Sequence, residues 1–121
     1  MRHSFFRYGA VFIMLIFVAA CKHEPAATPG TEVSFSRDVQ PIIIGNCTAS
    51  ACHGAQGSKE AEPFTNYDEV IENGHIEAGD PDESHLLEEI DEGSMPLGGA
   101  RLAQRDIDLI RYWILQGAKN N

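Results

Sequence analysis

Apolar residues recur at helical spacing in the last part of the chain. Ile107, Ile110 and Ile114 lie three or four residues apart, with Trp113 beside them. This spacing brings the four side chains to one face of a helix. It predicts a helix over residues 103–116, ended by the glycine that follows.

A second set of apolar positions predicts a short first helix over residues 34–45. Pro41 is tolerated only in the first turn of a helix, so Asp38 is a better N-cap than Ser36. Gly45 is expected to end this helix. The apolar positions on its inner side are Phe35, Val39, Ile42 and Ile43.

Capping signals predict two more short helices in the middle of the chain. Residues 65–68, Thr-Asn-Tyr-Asp, have the form of a capping box and predict a helix over residues 67–73. Residues 80–83, Asp-Pro-Asp-Glu, supply a cap, a proline at the first helical position and an early acid. They predict a helix from residue 80 to Gly93. Four short helices make an all-α domain the expected fold class.

The first twenty residues have the pattern of a secretory signal rather than of the fold. Arg2 and Arg7 precede an apolar run over residues 10–18, and small residues follow it. The run is short for a transmembrane helix. We therefore expect residues 1–20 to be a signal peptide.

Cys21 follows Val18-Ala19-Ala20, which resembles the lipobox of bacterial lipoproteins. The resemblance implies that Cys21 carries lipid and holds the protein on a membrane of the cell envelope, facing periplasm or exterior. The alternatives are an ordinary cleavage that leaves Cys21 free, or an uncleaved anchor. Residues 21–32 are rich in proline and polar side chains and are expected to form a flexible tether, which leaves residues 33–121 as the domain.

Length and charge narrow the function classes. A chain of 121 residues has room for a single domain. Its formal charge of −9, from 18 acidic and 9 basic residues, makes nucleic acid and anionic lipid surfaces unattractive partners. The charge suits a partner protein with a basic docking patch, and the alternative interpretation is solubility alone.

Two cysteines followed directly by a histidine form the most informative motif. Cys47, Cys52 and His53 supply two thiols for thioether bonds to haem and an adjacent imidazole as the proximal iron ligand. Four residues separate the cysteines where the usual motif has two, and these four are small enough to form a bulge. The alternatives are a Cys47–Cys52 disulfide or half of a metal site. With Cys21 lipidated and both other cysteines on haem, no thiol is left over.

A six-coordinate haem needs a second axial ligand, and three later residues are candidates. They are Met95, His75 and His85. Met95 precedes Pro96 in a glycine-rich loop, where a methionine has little packing reason to occur. Met95 is therefore the expected distal ligand, with His75 as the runner-up.

The chain resembles the small mono-haem c-type cytochromes of secreted bacterial proteins over about residues 33–121. The resemblance is carried by four features in order: the first helix over residues 33–42, Cys52-His53-Gly54, Met95-Pro96 and the last helix over residues 106–118. Ala78-Gly79-Asp80-Pro81 also looks like the middle section of that family. The resemblance implies the cytochrome c fold, with first and last helices crossing beside one covalently attached haem c, and electron transfer through His53 and Met95.

A domain of under 90 residues rarely stabilises itself by side chains alone, and a buried haem supplements its core. The side chains expected to line the haem or to pack behind it are Phe35, Val39, Ile43, Phe64, Leu86, Ile90, Leu97, Leu102, Ile110, Trp113 and Ile114.

Two function classes follow from these residues. The first is a membrane-tethered carrier of single electrons, which is not an enzyme, since no catalytic constellation is evident. The alternative is a haem-free lipoprotein module with a Cys47–Cys52 disulfide that binds other envelope proteins. A haem sensor or peroxidase needs an open axial position, and Met95 argues against it.

Overall fold

The computed structural model describes residues 30–49, 51–55 and 61–121. The expected signal peptide, Cys21 and most of the expected tether lie outside these residues. Within them the chain forms helices and no strands, which confirms the all-α class. The elements are a π-helical segment, Phe35–Val39, and four α-helices: α1, Gln40–Cys47; α2, Tyr67–Asn73; α3, His85–Glu92; and α4, Gln104–Leu115.

The first predicted helix is present, but both of its predicted ends are wrong. Ser34 is the N-cap, and its Oγ accepts a hydrogen bond from the backbone N–H of Arg37 at 3.3 Å. Asp38 lies inside the first turn and accepts from the Ser34 N–H at 2.8 Å, so it reaches back to the cap instead of being it. The helix runs through Gly45 to Cys47, since glycine is tolerated within a helix at modest cost.

The second predicted helix is confirmed at both ends, with a different cap. Asn66 accepts from the Glu69 N–H at 3.0 Å, and the Glu69 carboxylate accepts from the backbone N–H and hydroxyl of Thr65. The cap and the acid of the capping box are therefore Asn66 and Glu69, each one position later than predicted. Gly74 ends the helix as expected.

The third helix begins later than its capping signal predicts. Residues 80–83 form a turn in which Asp80 Oδ1 accepts from the Asp82 N–H at 3.2 Å, and α3 starts at His85. The buried Ser84 explains the delay, since its hydroxyl donates to the Asp80 carbonyl at 2.8 Å and holds the turn closed. Gly93 ends α3 in the left-handed conformation, as predicted.

The core lies where α3 and the π-helical segment each pack against α4. Trp113 on α4 is fully buried and packs against Phe35, with ring centroids 5.3 Å apart. Ten of the eleven side chains expected around a haem are buried. Leu97 is the exception at 84% exposed, because it belongs to the loop between α3 and α4 and not to a helix face.

The two ends of the domain are joined to each other. Asn121 accepts from the Phe35 N–H through its side-chain oxygen at 2.8 Å, and its backbone carbonyl accepts from the hydroxyls of Ser34 and Ser36. These contacts hold the π-helical segment beside the end of α4. Within the residues the structure describes, none of the helices has the length and apolar character needed to cross a bilayer.

Ser84→Ala is expected to destabilise the domain by about 1–3 kcal/mol, because the substitution removes a buried hydroxyl that accepts from the Glu77 N–H at 3.0 Å and donates to the Asp80 carbonyl at 2.8 Å. Glu83→Ala, at the exposed side chain next to Ser84, should change the free energy of unfolding by less than about 0.5 kcal/mol. Denaturant unfolding of both variants tests this. Equal stabilities would show that the Ser84 hydroxyl does not hold the turn.

Candidate functional site

The predicted haem-attachment residues and the three candidate distal ligands all line one cavity. Its volume is about 1020 Å³, at the upper limit of ordinary small-molecule sites. Cys47 arrives from the end of α1, and Met95 from the loop after α3. The six residues are Cys47, Cys52, His53, His75, His85 and Met95. Residues far apart in sequence thus converge on a space large enough for a cofactor.

Cys52 and His53 are hydrogen-bonded back to the end of α1. The Cys52 N–H donates to the Ala49 carbonyl at 2.8 Å, and the His53 N–H donates to the Cys47 carbonyl at 3.0 Å. These bonds return the second cysteine to the first despite the wide spacing. A Cβ on Gly54 would lie 3.0 Å from the Thr48 carbonyl oxygen, so this close approach favours glycine after the histidine.

His53 is held by two contacts. Its Nδ1 lies 2.6 Å from the Glu62 carbonyl oxygen, which can only accept, so Nδ1 carries the proton in the bond. In the neutral imidazole Nε2 is then free of a proton and has a lone pair available for a metal. The second contact is a parallel stack on Phe64, with ring centroids 4.1 Å apart. An imidazole oriented through its other nitrogen by a carbonyl is typical of metal-ligating histidines.

The two thiols differ in environment. Cys47 is half-buried against the core, Cys52 is exposed, and both are free. Burial, followed by the nearby Cys52, raises the pKa of the Cys47 thiol to about 11. The Cys47 thiol is therefore neutral at physiological pH. Since this folded-state pKa is raised, the Cys47 thiol favours folding below about pH 9, and this contribution is lost as pH rises towards 11.

In the haem-free protein at pH 8, Cys47 is expected to react with iodoacetamide about a hundredfold more slowly than a cysteine of ordinary pKa, since the thiolate is the reactive form. The rate should rise towards pH 11 as Cys47 ionises. Mass spectrometry of timed, digested samples measures this rate, with the same protein in denaturant as the control. Equal rates in folded and denatured protein would show that burial does not raise the pKa of Cys47.

Met95 is half-buried, and its loop is tied to the end of α3. Its backbone N–H donates to the Glu89 carbonyl at 3.1 Å. The Ser94 hydroxyl donates to the same carbonyl at 2.9 Å and also contacts the Glu89 carboxylate. Buried Leu86, Ile90 and Leu102 give the adjoining cavity wall an apolar surface. This surface gives a thioether an apolar setting next to the cavity.

His75 and His85 lie together at the cavity, with ring centroids 6.1 Å apart. Both residues are exposed. His85 is engaged by the carboxylates of its own helix, at 3.3 Å from Glu88 and 3.7 Å from Glu89. All three candidates for the distal ligand therefore line the cavity. Their position alone does not identify which of them would bind the iron.

Sequence reasoning missed the two groups that orient His53. The Glu62 acceptor is a backbone carbonyl, for which no side-chain pattern exists, and Phe64 was expected only as an apolar lining residue. Among the residues described, no group of three or more His, Cys, Asp or Glu side chains surrounds a metal-sized space. A site with one histidine, one thioether and a tetrapyrrole would not contain such a group. Searches of known protein families, curated proteins and solved structures find no match to the chain.

Proposed function

We propose that this protein is a membrane-tethered c-type cytochrome that transfers single electrons through one haem c. The observation that carries the proposal is the convergence of Cys47, Cys52, His53 and Met95 on one cavity of about 1020 Å³. The haem iron supplies the one-electron chemistry. The chain supplies the two thiols for covalent attachment and two axial ligands.

The residues around the cavity fit this group. His53 offers Nε2 with its Nδ1 bonded to Glu62, which is the form that coordinates a metal. A methionine thioether as second ligand favours the ferrous state more than an imidazole does. The same cavity has an apolar wall at Leu86, Ile90 and Leu102, and an apolar surface beside the iron would disfavour the extra charge of the ferric state.

The distribution of charge supports a partner protein with a basic surface. Residues 61–100 contain twelve Asp and Glu and no Lys or Arg, and they supply most of the residues that line the cavity. A redox partner with a basic surface would be attracted to this side of the domain. Such an encounter would weaken as salt concentration rises.

A spectroelectrochemical titration of the purified protein tests electron transfer. One chromophore should be reduced and reoxidised reversibly, with the slope of a one-electron couple, about 59 mV per tenfold change in the ratio of the two forms. A purified mature protein without a visible chromophore, and with Cys47 joined to Cys52, would instead support the haem-free binding module.

Cys21→Ser is expected to move the protein from the membrane to the soluble fraction, because the variant has no thiol for the lipid. A single short acyl chain binds membranes marginally, whereas a diacylated cysteine anchors stably. Immunoblots of separated fractions measure the distribution, with Ser36→Ala as a matched control at a surface position. Retention of Cys21→Ser in the membrane fraction would indicate an uncleaved anchor.

A further inference from the structure

Phe64 contacts His53 across a flat face. The two ring planes are inclined by only 3°, and their centroids are 4.1 Å apart. Phe64 is itself buried, with 6% of its surface exposed. Its N–H also donates to the His53 carbonyl at 2.8 Å, so the main chain holds the two residues side by side. The stack is therefore part of the local fold.

The stack restricts a motion that the Glu62 hydrogen bond leaves open. The bond from Nδ1 to the Glu62 carbonyl fixes one edge of the imidazole at 2.6 Å. A single hydrogen bond still allows the ring plane to swing about that edge. The parallel Phe64 ring blocks this swing, because tilting the imidazole brings it into contact with a buried neighbour. Together the two contacts fix the direction in which Nε2 points and the plane of the imidazole ring.

We propose that Phe64 is a positioning residue that fixes the plane of the His53 imidazole and thereby tunes the electronic state and reduction potential of the haem. The inference rests on the proposed function. The orientation of an axial imidazole controls how its π orbital mixes with the iron d orbitals, and electron paramagnetic resonance of the ferric state reports this mixing. Phe64 also lines the cavity, so a smaller side chain there would open the His53 side of the cavity to water.

The test compares variants of the intact haem-loaded protein. Phe64→Leu keeps apolar volume but removes the flat ring. It should shift and broaden the ferric resonance and lower the midpoint potential, since the imidazole plane becomes variable and water gains access. Phe64→Tyr retains the stacked ring and should restore the wild-type resonance. If Phe64→Leu does not fold, Phe64→Met serves the same comparison.

Phe35→Leu is the matched control. Phe35 is also buried, at 3% exposed, but it packs against Tyr67 and Trp113 and does not line the cavity. Thermal unfolding should show comparable destabilisation for both leucine variants, while the resonance and the potential change only in Phe64→Leu. A haem-loaded Phe64→Leu protein with wild-type resonance and potential would overturn the positioning role and leave the proposed function standing. A mature wild-type protein without haem would overturn both.

Discussion

Met95→Ala should give the largest change in redox behaviour of any single substitution in the loop between α3 and α4. The haem-loaded variant should lose the weak sulfur-to-iron absorption band of the ferric protein, bind small ligands such as carbon monoxide, and show a lower midpoint potential. The physical reason is that the thioether favours ferrous iron, and alanine leaves the sixth position open. We expect the equilibrium for reduction to weaken at least tenfold, or about 59 mV for one electron.

His75→Ala and His85→Ala are the matched controls, because both residues line the same cavity and both are exposed. Each should leave the sulfur band in place and change the potential much less than Met95→Ala does. If Met95→Ala preserves spectrum and potential while His75→Ala alters both, the distal ligand is His75 and the assignment of Met95 is wrong.

The second large effect is expected at the cysteines. In Cys47→Ala/Cys52→Ala the thioether bonds cannot form, so all haem should leave the polypeptide in acid-acetone. The single variant Cys52→Ala retains Cys47 and should keep haem covalently bound in a reduced fraction of molecules. Extraction followed by absorbance of both phases measures the bound fraction.

The control for these two cysteine variants is Cys21→Ser, which removes the thiol that we expect to carry lipid. It should leave the covalently bound haem fraction at the wild-type level. Covalent haem in the double alanine variant would mean that attachment does not use Cys47 and Cys52.

The helices were predictable wherever a local pattern determines them. The spacing of Ile107, Ile110 and Ile114 predicts α4 to within a residue at each end, since side chains at that spacing must share a buried face. The bounds of α2 were also predicted correctly, because glycine follows its last residue and a capping pattern precedes it.

Two predictions failed because the packing of the folded chain differs from what the local sequence pattern indicates. Asp80-Pro81 has the form of a helix start, but the buried Ser84 hydroxyl binds the Asp80 carbonyl and the Glu77 N–H and delays α3. Leu97 was expected inside because it is apolar, yet its place in the loop leaves it exposed. Neither the hydrogen bonds of Ser84 nor the exposure of Leu97 is visible in residue types or spacing.

The candidate site divides in the same way. Residue type and order in the sequence are enough to identify four candidates: Cys47, Cys52, His53 and Met95. In the structure all four line one cavity. The orientation of His53 depends on the Glu62 carbonyl and on the Phe64 ring, which are contacts of the folded backbone and of packing. Geometry of that kind has no signature in a single sequence.

Covalent haem attachment is tested by a visible spectrum of the mature protein after dithionite reduction, recorded in denaturant and again after acid-acetone extraction. We expect a c-type reduced α-band that stays with the polypeptide in both conditions, because thioethers to Cys47 and Cys52 are covalent. Haem that passes into the acid-acetone phase, or a protein with no reduced α-band, would contradict covalent attachment of haem to Cys47 and Cys52.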